Sequence, residues 1–328
     1  MFCHMKIKIA ELKELMEKIV SSKYYSADEA EKIVEVLLYA DLAGNNTQGF
    51  LKLLEGERAQ DIVPKYKPKI IRETELSTLI DGGGSAGPLP AQIATEKVIE
   101  LAVKNGFAIV GVNNTFSSVG ALGFYGRKIA KNNLIGIVAA SSPKAILHFG
   151  GIDPAYGTNP IAFAFPTKTN PIVFDMAASA ITWYGLIRAK TLGEKLPDNV
   201  AIDKDGNITT DPEAAMKGAI LPFDRSYKGS GLAMVVELLA GVLPGANYVF
   251  NEGDWGTTFI AISPNLLMDT DEFKNRSSDL IKKVKSGRTQ PGKTIHIPGF
   301  DSETEIQKTV NSGEIEIEEK LLNSLKNL

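Results

Sequence analysis

Apolar residues recur at three- and four-residue spacing through Leu12, Leu15, Met16, Ile19 and Val20, which predicts an amphipathic helix near the start of the chain. Ser26-Ala27-Asp28-Glu29 has the spacing of a capping box, a serine followed three residues later by a glutamate. It predicts a second helix with Ala30, Ile33, Val34, Leu37 and Leu38 on one face, ending near Gly44. A further helix is predicted over 51–59, after the polar turn 45–49, and Pro64 and Pro68 mark a connection.

From about residue 79 the period changes. Asp81-Gly82-Gly83-Gly84-Ser85-Ala86-Gly87-Pro88 predicts a loop, and Pro88 and Pro90 fit the first turn of a helix whose face is Ala94, Val98, Leu101 and Ala102. Short apolar runs predict strands at 107–112, 134–140, 161–166, 172–174 and 258–262. Helices are predicted at 120–131, 175–189, 229–243, 270–285, 303–310 and 315–325. Strands alternating with helices place the chain in the α/β class.

Composition narrows the function. At ~150 residues per domain, 328 residues predict about two domains. Lys plus Arg is 36 and Asp plus Glu is 39, a net charge of −3, which argues against a nucleic-acid partner because phosphate neutralisation needs clustered cations. The single cysteine, Cys3, excludes an intrachain disulfide and zinc sites built on cysteine pairs. His4, His148 and His296 are not at helical spacing, so no metal site is expected. The most apolar stretch, 231–245, is broken by Glu237 and Pro244, so no membrane span is expected. Residues 1–20 lack the apolar core of a signal peptide, and the expected compartment is the cytoplasm.

Individual motifs are ambiguous. Gly82 to Gly87 matches G-x-G-x-x-G, but the apolar run before it is short and Glu100 follows too soon, so a structural loop is the preferred reading. Lys228 and Gly229 open a long apolar helix and form either an anion site or an exposed turn. Gly157-Thr158-Asn159-Pro160 is either a fixed backbone segment or an ordinary turn. Asp175 reads as an N-cap, and His148 as a hydrogen-bonded, partly buried histidine.

Taken together and in order, these segments resemble the type-2 malate/L-lactate dehydrogenase family, which also holds ureidoglycolate and sulfolactate dehydrogenases and cyclic ketimine reductases. Ala40-Asp41-Leu42-Ala43-Gly44-Asn45-Asn46-Thr47-Gln48-Gly49 is similar to the family's A-D-L-R-G-x-D-S-H-G. Gly150-Gly151 and Tyr156 to Ala164 resemble G-G … G-T-N-P-[IL]-A-F-A, and Asp175-Met176-Ala177-Ala178-Ser179 resembles D-M-A-T-S. Leu196-Pro197 with 201–212, Lys228 to Leu232 and Pro298-Gly299 match further family segments.

The resemblance implies a non-Rossmann, mixed-sheet nucleotide-binding body over 79–267, with its cofactor-binding part at about 119–254. A helical cap over 1–78 is joined by C-terminal helices at about 268–328. It implies a homodimer and nicotinamide-linked interconversion of a small 2-oxo and 2-hydroxy acid, or reduction of a cyclic imine carboxylate. The implied cofactor contacts are Ser141, Ser142, Pro143, Thr158, Asn159, Asp175, Ala177, Ser179, Trp183, Lys228 and Gly229. Family members that prefer NADP carry a basic residue where Thr182-Trp183 stands here. A 2′-phosphate would lack a counter-charge there, which favours NAD, with NADP the alternative.

The chain departs from the family where protons move. The two family histidines fall at Gln48 and Ser118, the arginine that grips the substrate carboxylate at Lys52, and a tyrosine at Gly56. An alkoxide formed by hydride delivery needs a proton from a group tuned near neutral pH. Candidate catalytic residues are therefore Gln48, Ser118 and Lys52, with His148, Tyr125 or a water as substitute donor. An iminium substrate would need less from an acid. A catalytically silent nucleotide-binding protein and an unrelated α/β protein are the remaining alternatives.

Overall fold

The computed structural model describes residues 4–246 and 254–328. Cys3 and the end of the expected cofactor-binding part, 247–253, lie outside the described residues.

The Ser26 hydroxyl accepts the Glu29 N–H at 3.4 Å, and the Glu29 carboxylate accepts the Ser26 N–H at 2.9 Å, so both bonds of the capping box start the helix Ala27–Leu42. It packs with the helix Ile9–Val20, as the apolar spacing requires, and the pair buries Leu12, Met16, Ile33 and Leu37. This core also receives Leu321, Leu322 and Leu325 from the helix Glu319–Lys326. The chain ends meet in a two-stranded ribbon, His4–Lys8 against Glu314–Glu318.

A seven-stranded sheet forms the body. Across it run Lys69–Glu73, Ser77–Ser85, Phe107–Thr115, Trp255–Ile262, Ile135–Ala140, Ile161–Phe165 and Ile172–Met176. Only Ser77–Ser85 and Phe107–Thr115 are parallel, joined by the helix Pro88–Asn105, and the other neighbours are antiparallel. The sheet is thus mixed and not doubly wound. Helices Pro88–Asn105 and Leu122–Lys131 cover it over a core containing Val98, Tyr125, Ile129, Val138 and Phe259. A smaller four-stranded sheet runs Ala201–Ile202, Ala219–Ile220, Ile146–Leu147, Pro154–Tyr156. Among the described residues no helix is long and apolar enough to cross a membrane.

Several elements differ from expectation. Residues 175–189 do not form one helix. Asp175 ends inside the strand Ile172–Met176, and the helix starts only at Trp183. The intervening residues are held extended against 221–223, through Ala180 N–H to Leu221 O at 2.8 Å and Phe223 N–H to Ala178 O at 2.9 Å, until Thr182 caps the helix. Glu314–Glu318 is a strand, its strict alternation answered by the equally short run His4–Lys8. The expected helix over 51–59 shrinks to Leu51–Leu54 and a 3₁₀ turn at Ala59–Asp61, because Gly56, at φ 77°, breaks it. The glycine-rich 81–88 is no free loop. The strand runs through it to Ser85, and the following N–H groups of Ala86 and Gly87 bond Tyr25 and Ser117. The expected helix over 229–243 begins at Tyr227 and continues beyond Val236 as a π-helical stretch, Glu237–Val242.

Candidate functional site

The turn after the helix Ala27–Leu42 is built around a buried carboxylate. Asp41 accepts the Phe50 N–H at 2.9 Å and folds residues 44–50 back on the helix. A Cβ at Gly49 would lie 1.8 Å from Asp41 Oδ1, so only glycine passes. Burial pushes the Asp41 carboxyl well above the usual range, against the pull of the Phe50 N–H. Within the short helix that follows, Leu51 and Leu53 enter the core, and Lys52 turns into a cavity of about 300 Å³.

Lys52 is 4% exposed. Its Nζ donates to Ser118 Oγ at 2.8 Å and lies 3.6 Å from the ring centroid of Tyr184. Burial lowers the ammonium to about 7, while the charge of Glu57 acts in the opposite direction. Ser118 Oγ also accepts the Gly120 N–H at 3.2 Å. Tyr184 stands where a side chain at Gly56 would go, since a Cβ there would lie 2.9 Å from its hydroxyl. The phenol beside position 56 is thus that of Tyr184, on the helix Trp183–Leu192. Its hydroxyl reaches Glu57 at 3.4 Å.

The loop ends of the sheet form the other walls. Asp175 Oδ2 accepts the Gly123 N–H at 2.7 Å, at the start of the helix Leu122–Lys131. Its carboxylate is crowded by protein although the cleft leaves the residue open to solvent. Desolvation raises it to about 6, against the backbone N–H groups of Gly123 and Leu122. It caps a helix of another segment rather than starting its own. Ser142 and Thr158 stand side by side, hydroxyls 3.5 Å apart, with the Thr158 N–H on Ser142 Oγ at 3.1 Å. Pro143, Ala177 and Trp183 line the same cavity, as do Gln48 and Ser141. Ser141 is buried and its hydroxyl accepts the Gly256 N–H at 3.0 Å, fastening the wall.

Other predicted residues lie elsewhere. Asn159, at φ 39°, is fully buried and donates to Ala233 O at 2.9 Å and Glu237 Oε2 at 2.8 Å, so it holds the wall from behind. Ser179 is buried in a bridge to Pro222. The N–H groups of Lys228 and Gly229 are already taken by Ser226 Oγ and Asp224 Oδ1, both at 3.1 Å, and neither residue lines the cavity. His148 is exposed beside Tyr156 and outside the cavity, with Nδ1 3.3 Å from its hydroxyl. Tyr125 is fully buried and donates to Val119 O at 2.5 Å. Neither of these two side chains is brought to the site.

Sequence reasoning missed Tyr184, Glu57, Trp255, Asn45 and Lys144, all of which line the cavity. Gly56 was the available signal for Tyr184, because a position without a side chain leaves space that a packed interior fills. A second cavity, of about 420 Å³, shares Asn45, Ala121 and Asp175 with the first.

The family model described as malate/L-lactate dehydrogenase matches residues 7–326. The malate/(S)-sulfolactate dehydrogenase of Methanothermus fervidus is 33% identical over 333 aligned positions, 97% of this chain and 95% of that protein. The Delta(1)-pyrroline-2-carboxylate/Delta(1)-piperideine-2-carboxylate reductase of Pseudomonas putida is 35% identical over 217 positions, 62% of each chain. The solved sulfolactate dehydrogenase of Methanocaldococcus jannaschii superposes with a TM-score of 0.87 at 31% identity, covering 98% of this chain and 96% of that one. The chain belongs to the malate/L-lactate dehydrogenase family.

Proposed function

We propose that this protein catalyses the nicotinamide-linked interconversion of a small 2-oxo acid and its 2-hydroxy acid. The observation that carries the reading is the content of one cavity: a buried ammonium, Lys52, bonded to a hydroxyl, Ser118, with two adjacent hydroxyls, a carboxylate and indole rings on the remaining walls. The donor set fits a nicotinamide nucleotide. Ser142, Thr158 and Asp175 are suited to ribose hydroxyls, and Trp183 and Trp255 offer flat apolar surfaces. A Cβ at Gly157 would lie 2.2 Å from Ser142 Oγ, so this glycine lets Ser142 and Thr158 stand together. A bound reduced nicotinamide supplies hydride to the carbonyl carbon. Gln48 and Asn45 orient the acid by hydrogen bonds, and Lys52 supplies the positive charge a carboxylate or a developing oxyanion requires.

NAD is the favoured form. The Thr182 hydroxyl is engaged by the Gly185 N–H at 3.0 Å, and the next cation along that helix, Arg188, is held by Glu194 and Glu318. Among the described residues the start of that helix offers a 2′-phosphate no cation of its own. The Pseudomonas relative's name keeps an imine carboxylate as the second reading. The test is fluorescence titration with NADH and NADPH, then oxidation of the bound dinucleotide with pyruvate, oxaloacetate, sulfopyruvate and a cyclic ketimine acid. Tighter NADH binding and turnover with a 2-oxo acid are expected. Turnover with the ketimine alone favours the second reading, and binding without any turnover defeats both.

We also take the working unit to be a homodimer, with the site formed between cap and body in each copy. Met234, Val235, Leu238, Val242 and Leu243 form an exposed apolar face along the helix Tyr227–Val236 and its π-helical continuation, a face suited to a second copy.

A further inference from the structure

The sequence resemblance puts Lys52 where the family grips a carboxylate, and the two histidine positions carry Gln48 and Ser118. In the structure Lys52 is engaged by two side chains of the site itself. Among the described residues no carboxylate oxygen lies within 4.0 Å of its Nζ, which rests on the face of Tyr184 and points one N–H at Ser118 Oγ, 2.8 Å away. Ser118 Oγ has two lone pairs, and two donors use them, the Lys52 ammonium and the Gly120 N–H. The hydroxyl's own hydrogen is then what Ser118 presents to the cavity it lines.

We infer that Lys52 and Ser118 together are the proton donor of this site, the lysine recharging the serine as the serine protonates the substrate oxygen. The inference rests on the oxo-acid reading above and names the acid that reading requires. As the carbonyl carbon takes hydride from a reduced nicotinamide, the C=O π pair moves to oxygen. The Ser118 O–H bond breaks as the new O–H bond forms on the product. A Lys52 N–H bond breaks as the Ser118 hydroxyl is restored. Lys52 is left a neutral amine and takes its next proton from solvent, and oxidation of the hydroxy acid runs the same steps in reverse.

The lowered lysine supports this, because a donor near 7 is matched to neutral pH whereas an ordinary lysine is not. Glu57 and the ring of Tyr184 face Lys52, and Asp175 and Lys144 line the same cavity. Of these, Asp175, raised to about 6, also titrates near neutrality. Its contribution is separated by the variants.

Lysine side-chain NMR on the isolated protein, with Lys52→Met assigning the signal, is expected to show Lys52 titrating near 7, and at lower pH in Ser118→Ala, which removes an acceptor from the charged ammonium. Lys52→Arg keeps the charge but holds its proton far too tightly to give it up. It is expected to lower kcat about 100-fold or more, to leave KM and the NADH dissociation constant within about threefold, and to remove the alkaline fall in the rate of reduction. Ser118→Ala is expected to lower kcat about tenfold or more at unchanged NADH affinity. An ordinary lysine titration, or Lys52→Arg with kcat retained and KM raised, overturns the inference and leaves the oxo-acid reading standing. Wild-type protein that binds NADH but reduces no 2-oxo acid overturns the reading itself.

Discussion

Lys52 shows what a buried charge costs and what it makes available. Its folded value, about 7, lies below that of an unfolded lysine. Below pH 7 the group is charged in both states and the fold bears the whole desolvation cost. From pH 7 up to the ordinary lysine range the unfolded chain binds more protons, so stability rises with pH. Lys52→Met is therefore expected to stabilise the protein by about 1–3 kcal/mol at neutral pH or below. The gain should shrink in alkali, as read from denaturant midpoints at two pH values, while reduction is lost. Gly49→Ala tests the opposite kind of constraint. Its methyl meets the Asp41 carboxylate, and moving that group frees the Phe50 N–H and the turn carrying Gln48 and Lys52. A loss of about 3 kcal/mol or more is expected in urea unfolding. Position 49 was legible as glycine within a motif, but the reason was not, because it is a contact with a residue on the preceding helix.

At the scale of elements, the sequence was readable where the period was long and the caps were local. Ser26 and Glu29 announced their helix, and Pro88 opened another where expected. Misread elements were those whose partners are distant in sequence. Asp175 has the chemistry of an N-cap and serves as one, but for Gly123 of a helix earlier in the chain. The strands His4–Lys8 and Glu314–Glu318 are each too short to stand alone and exist because they pair. Asn159 was drawn from its motif as a cofactor contact, and the structure makes it the tie between the cavity wall and the helix Tyr227–Val236. Asn159→Ala removes the bonds to Ala233 and Glu237 and disfavours the positive φ, so a loss of about 2–4 kcal/mol is expected by thermal or chemical unfolding. NADH affinity should weaken with it, since Thr158 is its neighbour. On the exposed apolar face, Leu238→Glu is expected to convert a dimer to monomers in sedimentation velocity. A wild-type monomer at micromolar concentration contradicts the proposed assembly.

For the whole molecule, the loop ends of the mixed sheet meet the turn and short helix around Lys52 and the helix of Tyr184 at the cavity, which takes residues from Asn45 to Trp255. Motif order along the chain was enough to place it in its family. What the sequence left open was the proton donor, because Lys52, Ser118 and Tyr184 converge only in three dimensions. The proposed donor is a lysine whose burial does the tuning. The most direct measurement is transfer from NADH deuterated at the reactive carbon of its ring, incubated with the protein and a panel of small 2-oxo acids. The account predicts one of these acids converted to its 2-hydroxy product with deuterium at C2, in amounts equal to the NADH consumed. NADH that binds and is never consumed, or a hydroxy acid formed without deuterium, would contradict it.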